Sequence, residues 1–387
     1  MAEGLFTRLD SALEKEWGRW SLNLEGADPR DFLNDLVRGL KGNPDGSGKK
    51  IESKHRYVGL VPTISWLLTC RDPSYPVLYD SLKWFARLWD TCLPVLDDAR
   101  YHYVSLGVGS GEKDWLILNQ LQRSNPDLLY IALDISAHML RLGTDEIRKR
   151  LPGRVLPIEL DFEDRSSLRA LRKLLNDMVG DDPILFSLLG NTLANIERDK
   201  DFLKNLTTVL RPQDRLALEI ATTDVLTEST AAAAAAERRG SRLYNEFATA
   251  SLGTYTDLTV DTNNLEFVGS VEDSHAIRIE ASYVNKSGAT IPLMLPNREV
   301  IPFRAGEGIR LSVARNYWVD GLRTLFGACG LHEMAVDIEF GDTKEEVRDS
   351  ANFGLGVVLL RYEPHVDGTT SPLGRVWGAG GGAPRIG

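Results

Sequence analysis

Three glycines and one carboxylate mark the part of this sequence best suited to binding a nucleotide-like ligand. Gly107, Gly109 and Gly111 follow an apolar run that alternates as in a buried strand, and helical spacing begins at Trp115. Glycine lets a ligand approach the backbone closely, and a helix start offers free N–H donors. Asp134 ends the next apolar run, where a carboxylate can accept the hydroxyls of a ribose. A turn that only solves a packing problem stays an alternative.

The spacing of the glycines and the charges beside them indicate which cofactor binds. Dinucleotide sites favour G-x-G-x-x-G, whereas this turn is G-x-G-x-G. Glu112 and Asp114 place negative charge where a pyrophosphate would lie, and negative charge tolerates a cationic sulfonium. We therefore predict S-adenosylmethionine (SAM) rather than NAD as the cofactor, and we include Lys113 in its site.

Two later apolar runs also end in polar residues that face the predicted crevice. Asp161 follows the third run and is expected to accept from an adenine amino group, with Phe162 against the ring. The fourth run exits into Gly190, Asn191 and Asn195, and such strand ends line the ligand crevice of open α/β sheets. Of these residues, Gly190 and Asn191 are expected to contact the cofactor. Each of these residues also has a plain structural interpretation, as a helix cap, a turn or core.

These stretches together resemble the class I SAM-dependent methyltransferases, and within them the histidine N-alpha-methyltransferases of ergothioneine biosynthesis. The resemblance extends from about residue 74 to about residue 362, and it rests on four motifs: Ser-Leu-Gly-Val-Gly-Ser-Gly-Glu-Lys-Asp, Leu-Asp-Ile-Ser, Asp-Phe-Glu and Leu-Leu-Gly-Asn-Thr-Leu-Ala-Asn. It implies SAM as the cofactor and a role for Tyr75, in a Tyr-Pro motif, in the amino-acid pocket.

The resemblance also indicates where this chain departs from the family. Ser312 stands in place of the glutamate that grips the imidazole and amine, and Ala314 stands in place of the following serine. A serine makes a weaker, neutral bond, so free histidine is not the expected substrate. We expect Tyr75 or Tyr244 to orient an amine and Asn195 to hold a carboxylate or amide, with Ser312 lining the pocket.

The predicted reaction is methyl transfer to the amine of an amino acid or related small molecule in specialised biosynthesis, with Tyr75 and Asn195 as the catalytic residues. Positioning dominates such a displacement, so neither a catalytic triad nor a metal is expected. O- or C-methylation, a regulator that binds the cofactor without turnover, and a nicotinamide oxidoreductase remain alternatives at this point.

Composition narrows the choice of partners. The chain has 387 residues, of which 43% are hydrophobic, and a net charge of −10, which argues against a nucleic-acid partner. Three cysteines without a metal-binding pattern predict reduced thiols. The longest apolar runs are too short to cross a membrane, so a soluble, cytoplasmic protein is expected. An alanine-rich stretch at residues 231–236 is compatible with a homodimer.

The order of apolar patterns predicts an α/β protein, with a Rossmann-like class I methyltransferase sheet and a second, smaller α+β substrate domain. The expected division is an N-terminal helical part of the substrate domain (1–73), the methyltransferase core (74–222), an inserted substrate-covering part (223–315), completion of the core (316–364) and a disordered tail (365–387). Alternating short apolar runs from about residue 253 to 313 indicate that the insert is antiparallel.

Overall fold

A computed structural model describes residues 22–23, 29–42, 48–73, 79–96, 99–340 and 352–364. Three predicted features lie outside this part of the chain. They are an amphipathic helix that the apolar spacing predicts over residues 1–20, the predicted substrate contact Tyr75 and the tail beyond residue 364.

Within the described ranges, the helices alternate with strands through the first half of the chain. They are α1 (Pro29–Lys41), α2 (Leu60–Thr69), α3 (Ser81–Cys92), α4 (Glu112–Ser124), α5 (Ala137–Arg150), α6 (Arg165–Val179), α7 (Asp199–Leu206), α8 (Glu228–Gly240), α9 (Arg242–Tyr255) and α10 (Val319–Gly327).

The strands fall into a parallel series and an antiparallel series. They are β1 (Leu22–Asn23), β2 (Lys49–Lys50), β3 (His102–Leu106), β4 (Tyr130–Asp134), β5 (Val155–Glu159), β6 (Ile184–Leu188), β7 (Arg215–Thr223), β8 (Leu265–Glu272), β9 (Ala276–Val284), β10 (Ile291–Met294), β11 (Val300–Phe303), β12 (Gly308–Trp318), β13 (Leu331–Phe340) and β14 (Phe353–Tyr362).

The centre of the molecule is a parallel sheet in the order β5-β4-β3-β6-β7. Helices cover both faces of this sheet, so almost every strand residue is buried. The sequences of these strands are therefore nearly continuous apolar runs. The order reverses between β3 and β6, and ligands of open α/β sheets bind outside the carboxyl ends at such a switch point. The predicted α/β class and Rossmann-like sheet are confirmed.

The last two strands complete the sheet as an antiparallel hairpin. β14 pairs antiparallel with β7 along the whole of that strand, and β13 pairs with the other edge of β14. α10 precedes β13 and begins at Val319, whereas the sequence pattern predicts a helix from Tyr317. Tyr317 and Trp318 instead end β12, where they pair with Thr222 and Thr223 of β7.

The inserted antiparallel strands extend the central sheet. The last two residues of β12 pair with the carboxyl end of β7. Nearly the whole of β12 also pairs with β9, and β9 pairs with β8. β12 therefore crosses the predicted domain boundary at residues 315/316 without a break. α8 packs on β8 so closely that a Cβ at Gly269 would lie 2.0 Å from the carbonyl oxygen of Ala231. The alanine run thus forms a close-packed interface inside the chain.

Candidate functional site

The glycine turn after β3 has the backbone geometry that only glycine adopts without strain. The φ angles of Gly107, Gly109 and Gly111 are +84°, +54° and +75°. A Cβ at Gly111 would lie 2.0 Å from the carbonyl oxygen of Gly143 in α5, so the turn and that helix are in direct backbone contact. Gly111 is also the N-cap of α4, and the turn therefore delivers the chain straight into a helix N-terminus.

Asp134 ends β4 directly beside this turn, and its carboxylate is almost completely buried. The backbone N–H of Ser136 donates to Oδ1 over 2.9 Å. Burial raises the pKa of the Asp134 carboxyl to about 7, against the lowering effect of backbone N–H donors from Ser136, Gly109 and Ile135. A carboxylate so far removed from water gains strongly from further hydroxyl donors.

A cavity of about 320 Å³ opens between the glycine turn, the ends of β4, β5 and β6, and α2. Its walls include Tyr57, Trp66, Cys70, Gly107, Gly109, Gly111, Lys113, Asp134, Met139, Phe162, Glu163, Leu189, Gly190 and Asn195. Burial raises the pKa of the Cys70 thiol to about 12, so this wall offers no thiolate nucleophile.

A second cavity, of about 1160 Å³, adjoins the first. The two share Ser53, Lys54, Ile135, Glu163, Asn195 and Ile196. The second cavity is lined by more acidic than basic residues, and Glu52, Glu159, Asp161 and Glu197 are among the acidic ones. An acidic cavity therefore lies directly beside the one at the glycine turn.

The two acidic residues after the glycines have different environments. Asp114 points into the core, where Tyr103 Oη donates to Oδ1 over 2.5 Å and Tyr130 Oη donates to Oδ2 over 2.7 Å. Burial raises the pKa of Asp114 to about 6, although both tyrosines lower it. Asp114 therefore anchors α4 to β3 and β4, and the argument from its charge against a pyrophosphate is weaker than the sequence suggests. Glu112 lines the cavity with its neighbour Ser110.

Lys113 lies at the cavity, but its ammonium is bound by protein. Its Nζ donates to Oε1 of Glu219 in β7, a fully buried residue. The other oxygen of Glu219 accepts the backbone N–H of Gly190 over 2.6 Å. This carboxylate thus joins the helix after the glycine turn to the loop after β6, and Lys113 has a structural partner in addition to the cofactor contact predicted for it.

Asp161 borders the second cavity rather than the first. Lys54 donates to Oδ2 over 2.8 Å, and the backbone N–H of Glu163 donates to Oδ1 over 3.0 Å. Phe162 does border the first cavity, where its ring lies 3.9 Å from the position of a Cβ on Gly107. The predicted stacking residue is therefore beside the glycine turn, and the role of Asp161 toward an adenine amino group stays a prediction.

Asn191 and Asn195 lie in the loop after β6, and their side chains have different surroundings. The Oδ1 of Asn191 accepts the backbone N–H of Ala221 over 2.8 Å, and Asn191 has a φ of +60°. Its side chain ties the loop to β7, and it does not border either cavity. Asn195 borders both, so of the two amides only that of Asn195 faces ligand space.

The side chain of Asn195 belongs to a chain of polar groups that sequence analysis did not find. Arg56 Nη2 donates to Oδ1 over 3.3 Å, and Nδ2 donates to the hydroxyl of Tyr57 and the carbonyl of Asn191 over 3.3 and 3.2 Å. The guanidinium of Arg56 lies 5.6 Å and 5.3 Å from the ring centres of Tyr57 and Phe247. These contacts fix the orientation of the amide, and Tyr57 borders the first cavity beside it.

Arginines of the antiparallel strands hold the loop that carries Asn195. Arg315 of β12 donates to the carbonyls of Ile196 and Glu197 over 2.6 and 3.0 Å, and it pairs with Glu272. Arg278 Nη2 lies 2.9 Å from Oε1 of Glu197. The loop is therefore clamped from the side of the insert.

Two further predicted contacts, Tyr244 and Ser312, lie away from both cavities. Tyr244 packs against Phe247 and Phe267 in the insert, with only 7% of its surface exposed. Ser312 is buried in β12, beside the site where Ser53 accepts the N–H of Val313. Neither borders the described cavities. Substrate contact by Tyr244, Ser312 or Tyr75 stays a prediction.

Several features of the first cavity fit S-adenosylmethionine. Asp134 is a buried carboxylate that would gain further donors from a ribose diol, and Phe162 offers a ring in the same cavity. The glycines leave no Cβ between the backbone and a ligand. Glu112 supplies negative charge suited to a sulfonium. The parallel sheet with its antiparallel last hairpin and this cavity define a class I SAM-dependent methyltransferase.

Comparison with known families leads to a narrower assignment. Residues 86–349 match the family described as histidine-specific methyltransferase, SAM-dependent. The chain belongs to this family, and the predicted cofactor is confirmed. A comparison with curated protein sequences returns no match.

Solved structures with a similar fold are distant in sequence. A SAM-dependent methyltransferase from Clostridium acetobutylicum is 13% identical with a TM-score of 0.37, covering 75% of this chain and 96% of its own. The magnesium protoporphyrin IX methyltransferase ChlM from Synechocystis PCC 6803 is 9% identical with a TM-score of 0.37, covering 78% and 97%. The glycopeptide N-methyltransferase MtfA is 10% identical with a TM-score of 0.34, covering 72% and 94%.

The described ranges hold no cluster of His, Cys, Asp and Glu able to bind a metal ion. None of their helices is long and apolar enough to cross a membrane.

Proposed function

We propose that this enzyme transfers a methyl group from SAM to the amine nitrogen of an amino acid or related small molecule other than free histidine. The observation that carries the proposal is the pair formed by Tyr57 and Asn195 at the boundary of the two cavities. SAM supplies a methyl group activated by its bond to a positively charged sulfur. The protein has to place a nitrogen behind that group and keep the nitrogen unprotonated.

The hydroxyl of Tyr57 suits an amine because of how it is already bonded. It accepts a hydrogen bond from Asn195 Nδ2, so its own O–H and its second lone pair remain to face the cavity. Such a hydroxyl accepts from an ammonium and donates to a neutral amine. Burial raises the pKa of Tyr57, which keeps it a phenol over the range in which amines lose their proton.

The walls around this pair favour an acceptor with apolar surface. Trp66 and Leu189 border the same cavity, and small-molecule sites are lined mainly by apolar and aromatic side chains. These walls support a bulkier, less polar amine than histidine. Ser312 occupies the place where the resemblance implies an imidazole-gripping carboxylate, but its side chain borders neither cavity, so the argument rests on the walls.

We also propose that the N-terminal helical part and the insert act as one cover over the site. Thr69 of α2 donates to the carbonyl of Leu243 in α9 over 3.0 Å, and Tyr255 of α9 donates to the carbonyl of Val58 over 3.0 Å. Elements from either side of the core sequence are thus bonded to each other above the glycine turn.

The test is calorimetric titration of the purified protein with S-adenosylhomocysteine, followed by SAM turnover on a panel of amino acids and amines. Each aromatic amino acid is paired with the analogue that lacks the amine, such as L-tryptophan with indole-3-propionate. We expect methylated product only from the amine-bearing member of a pair, with the new methyl group on nitrogen by NMR.

Three results would contradict the proposal. A methyl group on oxygen or carbon would indicate a different acceptor atom. Turnover of free L-histidine above the rest of the panel would restore the substrate that gives the family its name. Tight binding of S-adenosylhomocysteine with no product from any acceptor would favour a regulator that binds the cofactor without turnover.

A further inference from the structure

Glu163 has an environment that no structural role explains. It borders both cavities, together with Asn195 and Ile135. Its backbone N–H donates to Asp161, but its carboxylate makes no hydrogen bond or ion pair with any residue in the described ranges. The carboxylate oxygens are not among the enclosed polar atoms that lack partners, so they face cavity space. A carboxylate held in this way is available to a ligand.

Neighbouring acids differ from Glu163 in this respect. Asp161 is paired with Lys54 at 2.8 Å. Glu197 is paired with Arg278 and Arg310, both at 2.9 Å. The cations near the shared wall are therefore bound by other carboxylates, and Glu163 faces the site as a group without a counter-charge of its own.

We propose that Glu163 accepts the proton that the acceptor amine must lose in order to be methylated. This inference rests on the proposed amine methylation and adds the residue that makes the nitrogen nucleophilic. An ammonium gives one proton to the carboxylate, and the freed lone pair forms the N–C bond while the methyl carbon separates from sulfur, which keeps the electron pair. The product is a methylammonium, and the second cavity leads the proton from Glu163 to solvent.

The surroundings of Glu163 raise the pKa of its carboxyl into the range that suits a general base. Burial raises the pKa of Glu163 to about 8, the charges of Asp161, Glu52 and Glu197 act in the same direction, and Lys54 opposes them. A general base works best when its pKa lies near the working pH, where enough of it is ionised and it still binds a proton well. The same carboxyl at its ordinary pKa would be a much weaker base toward an amine.

The first measurement is the pH dependence of kcat/KM with an amine that the panel shows to be methylated. We expect the wild-type value to rise with pH and level off above about pH 8. Glu163→Gln should lower the value at about pH 8 on the order of 10²-fold and move the rise to the higher pH at which the acceptor amine itself loses its proton. Glu52→Gln is the matched control, since Glu52 lies in the same acidic cavity and acts only through its charge. It should keep the rise and move it to lower pH.

The second measurement needs no acceptor. The infrared difference between the wild-type protein and Glu163→Gln, both labelled with 13C-carboxyl glutamate, reports the ionisation of this one side chain. We expect a protonated carboxyl band at about pH 6 that disappears around pH 8.

An ionised Glu163 at about pH 6, or an unchanged rise of kcat/KM in Glu163→Gln, would overturn the assignment. The infrared result depends neither on which atom is methylated nor on turnover of any acceptor, whereas the proposed function is tested by the identity of the methylated product. The two failures are therefore distinguishable. A binding role alone would raise KM in Glu163→Gln and leave the rise of kcat with pH intact, which would likewise exclude proton transfer.

Discussion

Lys113 and Glu219 form an ion pair that joins the two loops of the cofactor cavity. The Lys113 ammonium donates to one oxygen of Glu219, and the second oxygen accepts the N–H of Gly190. Glu219 is fully buried and Lys113 is 16% exposed. The glycine turn and the loop after β6 therefore share one carboxylate, which fixes their separation.

Removing the cation of this pair should be costly. Lys113→Met leaves a buried carboxylate without its counter-charge, and we expect the free energy of unfolding to fall by roughly 3–5 kcal/mol. Denaturant unfolding measures it. Lys149→Met is the control, because Lys149 pairs with Glu146 on the surface of α5 and should leave stability unchanged. Equal losses in the two variants would contradict a special role for the buried pair.

The affinity for S-adenosylhomocysteine should depend on the ionisation of Asp134. The pKa of this carboxyl is raised to about 7, and the ionised form is the better acceptor for ribose hydroxyls. We expect affinity to rise about tenfold per pH unit below about pH 7 and to level off above it. Asp134→Asn should weaken binding by about 1–3 kcal/mol and remove the pH dependence. A flat wild-type profile in calorimetry would contradict the ribose assignment.

The same residue should reduce the stability of the protein without cofactor. A carboxyl whose pKa is higher folded than unfolded contributes stability that is complete below the unfolded pKa and is lost as pH rises through the folded one. For Asp134 that loss occurs up to about pH 7. Asp134→Asn should therefore raise the free energy of unfolding on the order of 2 kcal/mol at about pH 8, with little effect near pH 4. Thermal unfolding checks it, and a less stable variant at pH 8 would refute it.

Asn195 should matter to the acceptor and not to the cofactor. Asn195→Ala removes the donor that fixes the Tyr57 hydroxyl, and we expect kcat/KM for the amine to fall on the order of 10²-fold with S-adenosylhomocysteine affinity within about twofold. Asn195→Asp keeps an acceptor for Arg56 but loses that donor, so it should be as impaired as Asn195→Ala. An active Asn195→Asp, or loss of cofactor binding in either variant, would contradict this placement.

A side chain at Gly111 should destabilise the fold more than the positive φ alone would, because the backbone of α5 lies in contact with this residue. Gly111→Ala places a Cβ 2.0 Å from the carbonyl oxygen of Gly143 and should prevent stable folding or displace α5. Gly153 has nearly the same φ, +73°, with nothing within 4 Å of its Cβ position. Gly153→Ala should therefore cost only the conformational strain, about 1 kcal/mol. Similar unfolding free energies for the two variants would show that the contact is not tight.

The core of the fold was predictable because its signals are local. The apolar runs before Gly107 and before Asp134 each lie within a few residues of the turn or carboxylate they position. A parallel strand buried on both faces has a strong pattern, and strand order follows from the connections. The exact ends were less predictable: Val108 continues the alternation of β3, yet it already belongs to the glycine turn.

The partners of Asn195 were not predictable from the sequence, for a physical reason. Tyr57 and Arg56 reach Asn195 across 138 and 139 positions of sequence, and no local pattern encodes such a contact. The sequence also does not predict that Asp114 points into the core and accepts hydrogen bonds from two tyrosines, or that Lys54 donates to Asp161. A charged residue next to a predicted site has the same sequence signature whether it faces the ligand or binds a distant neighbour.

The clamp of Arg315 on the loop that carries Asn195 has a consequence for the order in which the protein folds. The carbonyls of Ile196 and Glu197 find their donors 119 and 118 residues later in the chain, and contacts over such separations form late because of their loop-closure entropy. The cofactor half, built from neighbouring strands, can form earlier during synthesis on the ribosome. The half that we propose binds the acceptor is completed only when β12 has been made and docked.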